Sequence, residues 1–186
     1  MSILKVNKII PTGGVPTGGG GGVIQVVTAT KTDYATHSVN INAGFASYAL
    51  LMSATITPLV STSKILMLWS MSGGPDANGC HVDFVIRKTV GGTTTHPILG
   101  DSASGYYRVT TGFRSGGGNQ HNVHQANYQY LDSAGSSSAI TYGVAVATEG
   151  ATTYRLNSVG SNNSGSSWSS RQASTITLME VSAWVF

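Results

Sequence analysis

The chain has little charge. Asp, Glu, Lys and Arg make up 9% of its 186 residues, and ten basic side chains against seven acidic ones leave a net charge of +3. An average soluble domain carries about 25% charged residues. The basic residues are scattered singly, without the stripe that a nucleic-acid groove requires, so no nucleic-acid partner is expected. A single cysteine, Cys80, excludes an intrachain disulfide. Cys80-His81 has no second cysteine at zinc-ligand spacing, and a free thiol of this kind is expected to be buried. Long apolar runs are also missing: residues 64–71 contain Lys64 and Ser70 and have the length of a strand, far short of the roughly 18 to 20 residues of a membrane span. Lys5, Asn7 and Lys8 interrupt the apolar start, and no small-residue cleavage site follows. Neither membrane insertion nor secretion is therefore expected. No window has helical periodicity.

What the chain does have is glycine, at 24 positions, and Ser plus Thr over about a quarter of its length. Uncharged polar groups do the solubilising. Hydrophobic residues at 40%, with three Trp, eight Tyr and four Phe, suffice for a core and exclude a disordered Ser/Gly chain. The length fits one domain of ordinary size, or one domain with an extension.

The extension is residues 1–22. A β-prone run, Ile3 to Ile10, leads into Pro11, Val15-Pro16 and then five glycines, Gly18 to Gly22. Proline biases the preceding residue toward extended backbone, and a glycine run has no side chains to bury, so an extended N-terminal arm with a glycine hinge is expected. Leu4 and Val6 alternate with Lys5 and Asn7, and with Ile9 and Ile10 they give the arm an apolar edge suited to β-addition on another chain.

From residue 23 to 186 the sequence reads as short strands separated by Gly, Ser and Asn turns, the spacing of an all-β, antiparallel β-sandwich of jelly-roll-like type. Strands are expected near 23–29, 34–41, 52–57, 64–71, 81–88, 97–99, 106–112, 122–131, 139–147, 153–157 and 175–185. Loops are expected at 73–79, 91–92, 115–119, 132–136 and 157–172. No fixed period recurs, which argues against a solenoid or propeller. In 53–57, 140–146 and 175–181 one face is apolar and the other is largely Ser and Thr. A sheet face with so few charges is poorly defended against pairing, and a homo-oligomer is expected. The scarcity of charge also predicts a stability that depends little on pH or salt.

No catalytic constellation emerges. The seven carboxylates are far apart in sequence, and several lie in or beside turns, where capping is the ordinary role of Asp. His121 and His124, three apart on an expected strand, point to opposite faces and make poor partners for one metal. Neither a nucleophile elbow nor a phosphate-binding loop occurs. The chain is read as non-enzymatic, with no cofactor and no metal. Its recognisable binding chemistry is aromatic: Tyr106, Tyr128 and Tyr130 flank the loop carrying Asn119, and Trp168 lies in the long Ser/Asn/Gly loop. Aromatic faces with Asn and Ser hydrogen bonds suit a glycan, while tyrosines packed on the sheet with their hydroxyls at its edge are the structural alternative. Trp69 and Trp184, in apolar strands, are expected in the core or at subunit contacts.

The start, Ser2-Ile3-Leu4-Lys5-Val6-Asn7-Lys8-Ile9, resembles the N-terminal attachment sequence of tail-fibre-like proteins of tailed bacteriophages, especially those of cyanobacteria and marine bacteria. The glycine hinge with Val23-Ile24-Gln25-Val26-Val27 is similar to small virion proteins of such phages. So are Ile56-Thr57-Pro58, Tyr130-Leu131-Asp132-Ser133 and Ser174-Thr175-Ile176-Thr177-Leu178-Met179-Glu180. The resemblance implies a virion structural protein, usually trimeric and displayed on the particle exterior. It would be made in the host cytoplasm and joined to other virion proteins through its arm. Within it two roles are open: a short tail fibre or fibre tip touching host surface glycans, or a capsid decoration protein that cements the head. The chain departs from long fibres in lacking a shaft repeat.

Overall fold

A computed structural model describes residues 22–116, 122–161, 167 and 169–182. The arm residues Leu4, Val6, Ile9 and Ile10, together with Asn119, His121, Trp168 and Trp184, lie outside the described residues. Among the described residues the chain forms β1 (Val23–Lys31), β2 (Ala35–His37), β3 (Ala49–Ile56), β4 (Lys64–Pro75), β5 (His81–Val90), β6 (Thr93–Thr95), β7 (Thr111–Arg114), β8 (His124–Ser133), β9 (Ile140–Thr148), β10 (Tyr154–Leu156) and β11 (Ser174–Val181). Helical structure there is confined to 3-10 turns at Ile41–Ala43, Phe45–Ser47 and Glu149–Ala151.

The strands form two sheets with antiparallel ladders. In the first sheet β8 runs along one edge of β4, while β11 and then β10 follow each other along the opposite edge. Outside these, β1 pairs with β11 and β2 with β10. The second sheet has the order β3, β9, β5, with β6 and β7 end to end on the far edge of β5. The chain crosses between sheets from β2 to β3, β3 to β4, β4 to β5, β7 to β8, β8 to β9 and β9 to β10, as in jelly-roll-like sandwiches. The all-β antiparallel sandwich read from the sequence is the fold.

Two-residue alternation builds the core. Along β4, Ile65, Met67, Trp69 and Met71 are buried between the sheets, and β11 contributes Ile176 and Leu178. From β5 and β9 come Val82, Phe84, Ile86, Ile140, Tyr142, Val144 and Val146. Phe84 sits at the centre of an aromatic cluster, with ring centroids 5.8 Å from Trp69, 5.8 Å from Tyr154 and 5.9 Å from Phe113. Each such side chain contributes about 1.5–3 kcal/mol by leaving water. Cys80 is buried, as its type predicts.

Three polar groups inside the sandwich are tied down, whereas Trp69 Nε1 and the Tyr154 hydroxyl are buried without a hydrogen-bond partner among the described residues. Glu180 continues the inward face of β11 and is fully buried. Its carboxylate accepts from Leu59 N at 3.0 Å, Val60 N at 3.1 Å, Gln25 Nε2 at 2.6 Å and the Ser63 hydroxyl, and so holds the turn between β3 and β4. Asp132 on β8 joins the sheets, pairing with Lys88 Nζ of β5 at 2.5 Å and accepting from Tyr142 of β9 at 2.7 Å. Asn157, in the left-handed region with φ 59, donates to Lys31 O and Asp33 O and accepts from Ser174 Oγ at 2.7 Å.

The strand boundaries differ from expectation in three informative places. Residues 73–75 continue β4 where Gly73-Gly74-Pro75 reads as a turn, because β10 lies so close that a Cβ on Gly73 would sit 2.3 Å from Arg155 O. Of the stretch 34–41 only Ala35–His37 is strand, and a 3-10 turn begins at Ile41. Residues 97–99 and 106–110 form no strand; their apolar side chains serve another purpose.

Candidate functional site

That purpose is to cover the outer face of the second sheet. Val85 of β5 and Ala145 and Ala147 of β9 point away from the main core, and the segments 38–48 and 96–110 lie over them. Ile41, Tyr48, Phe45, Leu99 and Val109 fill the space, forming a second, smaller apolar cluster. The first segment is pinned by Thr148 N donating to Val39 O at 2.8 Å and by Arg87, whose Nη2 donates to Ala46 O at 2.9 Å and to Tyr48 O. Gly44, with φ 79, makes the corner between its two 3-10 turns, a conformation that disfavours other residues. The second segment is pinned through Thr110, which donates from N to Phe84 O at 2.9 Å and from Oγ1 to Ile98 O at 2.8 Å.

Where the two segments meet, a hollow of about 220 Å³ opens to solvent, lined by Ile41, Phe45, Tyr48, Tyr106, Tyr107 and Arg108. Tyr106 is 78% exposed and Tyr107 54%. The Tyr107 hydroxyl donates to Asn42 Oδ1, fixing the ring at the rim. Arg108 is oriented by Nε donating to Gly100 O at 3.0 Å. Beneath, burial pushes the Tyr48 hydroxyl pKa up, with Asp83 and Tyr107 adding to the shift. His96 stands edge-on to Phe45 at 4.8 Å, and burial followed by the nearby Arg87 charge holds it below the usual imidazole range, so it is neutral at pH 7. The hollow is an aromatic cup with cationic Arg108 at its wall and Arg87 behind it.

The outer face of the first sheet is different in kind, because no described segment lies over it. A shallow depression of about 410 Å³ is lined by Leu68, Ser70, Asn127, Gln129, Thr175 and Thr177, with Trp69 and Tyr128 beneath.

Of the residues singled out by sequence, Tyr106 stands in the cup. Tyr128 and Tyr130 are on the inward positions of β8, half-buried against the core. Tyr128 packs along Trp69 at 6.4 Å, and the Tyr130 hydroxyl donates to Asp132 Oδ1 at 3.3 Å. They share no surface with Tyr106, which lies over the other sheet. Among the described residues no three His, Cys, Asp or Glu side chains converge as metal ligands would.

No family model matches the chain, and no curated protein does. Among solved structures, the infectious bursal disease virus Gx strain is similar at 12% identity and TM-score 0.42, over 86% of this chain and 37% of that one. T=1 particles derived from the same virus give 11% identity and TM-score 0.42, over 84% and 38%. The VP2 subviral particle gives 11% and 0.39, over 84% and 41%. The chain thus spans about two fifths of the length of these proteins. Likenesses of this order assign neither family nor role.

Tyr107 was noted beside Tyr106 in the sequence, but the cup's other members, Arg108, Ile41, Phe45 and Tyr48, were not singled out. They come from segments more than 50 residues apart, and Phe45 and Ile41 read as ordinary apolar residues. The one available signal was the doublet Tyr106-Tyr107 followed by Arg108 after the turn at Gly105, a cluster with no strand alternation to bury it.

Proposed function

We propose that the chain is a non-enzymatic structural protein of a bacteriophage virion. In this reading it is carried on the particle exterior as a trimer anchored by residues 1–22, and it acts as a short tail fibre or fibre tip that touches host surface glycans. The attachment-like start supports the virion role. The aromatic cup carries the glycan contact: two exposed tyrosine rings stand at a hollow with room for one sugar ring. A sugar would lay its C–H face on the Tyr106 ring and hydrogen-bond through Asn42 and Arg108. The arginines favour an acidic sugar, whose carboxylate pairs bidentately with guanidinium.

The test is binding of the full protein to purified host-surface polysaccharide. Tyr106→Ala should weaken it about tenfold or more, the usual effect of removing an aromatic anchor, with the melting temperature unchanged because the ring is exposed. Equal binding by the variant would remove the cup from consideration. Cryo-electron imaging of intact particles tests the fibre role, which requires density at the tail.

A capsid decoration role is the second reading. The uncovered, nearly uncharged outer face of the first sheet favours it, since such a face suits lateral packing on a particle. Regular density over the head, and particles that lose heat resistance without the protein, would establish it over the fibre.

A further inference from the structure

The ladder registers place Val26 of β1 opposite Met179 of β11, Met179 opposite Leu66 of β4, and Leu66 opposite Leu131 of β8. Direct partners in antiparallel ladders point to the same side. These four side chains therefore form one apolar row running across the whole width of the first sheet, on its outer face. Val26 is 53% exposed and Leu131 56%. The neighbouring row, Thr28, Thr177, Leu68 and Gln129, opens into the 410 Å³ depression. The ends of the row are exposed and Met179 and Leu66 between them are half-buried, one apolar band across a face that is otherwise mostly Thr, Ser, Asn and Gln.

We infer that this face is where copies of the chain associate. Three observations select a second copy as the occupant. The outward positions of β1, β11, β4 and β8 that flank the row are Thr, Ser, Asn, Gln, Val and Leu68, with Lys64 the one charged side chain among them, and its Nζ is held at the margin by Ser133 Oγ at 2.7 Å. Such a face meets its own copy without like-charge repulsion, whereas it offers a charged partner almost nothing to pair with. In extent, four strands about 4.8 Å apart and about eight residues long give roughly 400–500 Å² in projection. The relief of the side chains brings this toward the ~800 Å² of accessible surface per partner in a stable interface. The chain also covers the corresponding face of its second sheet with its own segments 38–48 and 96–110, so an apolar outer face is something this fold closes where it can.

The inference stands apart from what the Tyr106 cup binds. Light scattering on the full-length protein at micromolar concentration should give two or three times the monomer mass. Leu66→Lys with Leu131→Lys should give the monomer, while Tyr106→Ala stays assembled. Leu131→Lys alone, at an exposed position on an edge strand, keeps the test open if the double variant fails to fold, and it should shift the dissociation midpoint at least tenfold toward higher concentration. A monomeric wild-type protein overturns the inference, and would point to another virion protein or residues 1–21 as the cover. Full assembly of the folded lysine variants also overturns it.

Discussion

Replacing Glu180 by Gln tests whether the buried carboxylate is the organising group at the end of the sandwich. Its two oxygens receive Leu59 N, Val60 N, Gln25 Nε2 and the Ser63 hydroxyl. An amide has one acceptor oxygen, so at least one of these donors faces an NH2 group and loses its partner. Hydrogen bonds to a charged group contribute about 1.5–3 kcal/mol, and a stranded buried donor costs about 1–3 kcal/mol. The variant should therefore lose about 2–4 kcal/mol. At about 2–4 °C per kcal/mol for a domain of this size, the melting temperature should fall by about 5–15 °C. Calorimetry as a function of pH adds a second reading. Burial alone would raise the Glu180 pKa, but the bonds from Ser63, Leu59, Gln25 and Val60 outweigh it and leave the group below its ordinary value of 4.5. A depressed folded pKa means that the stabilisation is complete above pH 4.5 and is lost as pH falls through the folded value. The gap between wild type and Glu180→Gln should accordingly close below pH 4.5. A gap under about 0.5 kcal/mol at pH 7, or one that does not change with pH, would refute the reasoning.

Two further outcomes are expected. Gly73→Ala should destabilise by about 3 kcal/mol or more, since the added methyl meets the backbone oxygen Arg155 O at 2.3 Å and neither strand can move without breaking its ladder; a melting curve matching wild type would show that β10 yields. His37, His96 and His124 are all held below the usual imidazole range, in each case mainly by burial. Lowered folded pKa values mean that the unfolded chain binds protons first, so stability should decline as pH falls from about 6.5, and thermal scans at pH 7.5 and 5.5 should differ by several degrees. Equal melting temperatures would show that these rings are more solvated than their burial indicates.

The histidine prediction runs against the expectation, drawn from low charge, of a stability indifferent to pH, and the scans decide between them. Composition counts ionisable groups but not their surroundings, and here a few of them are buried. The same limit runs through the comparison of sequence with structure. Strands such as β4, β9 and β11 were legible because alternation reports which residues face the core. The segments 97–99 and 106–110 were misread as strands because their apolar residues face a second, smaller cluster that only tertiary folding creates. Gly73-Gly74-Pro75 reads as punctuation, yet Gly73 admits the close approach of β10 and Gly74 that of the Asn122 carbonyl. Tyr106 was recognisable as a binding candidate, whereas Tyr128 and Tyr130 share its residue type but lie at inward positions of a register that sequence alone did not fix.

The ladder between β1 and β11 has a mechanical consequence. Eight residue pairs join them from Val23 opposite Val181 to Lys31 opposite Ser174, and Gly22 leads directly into the first of them. A load applied ahead of residue 22 and directed along the strand pulls all eight pairs in shear at once, so none can fail before the others share the force. The same load turned perpendicular to the sheet would peel them one at a time from Val23 onward. A protein held by this end on a moving particle would thus grip hardest when tugged lengthwise and release most readily when levered sideways.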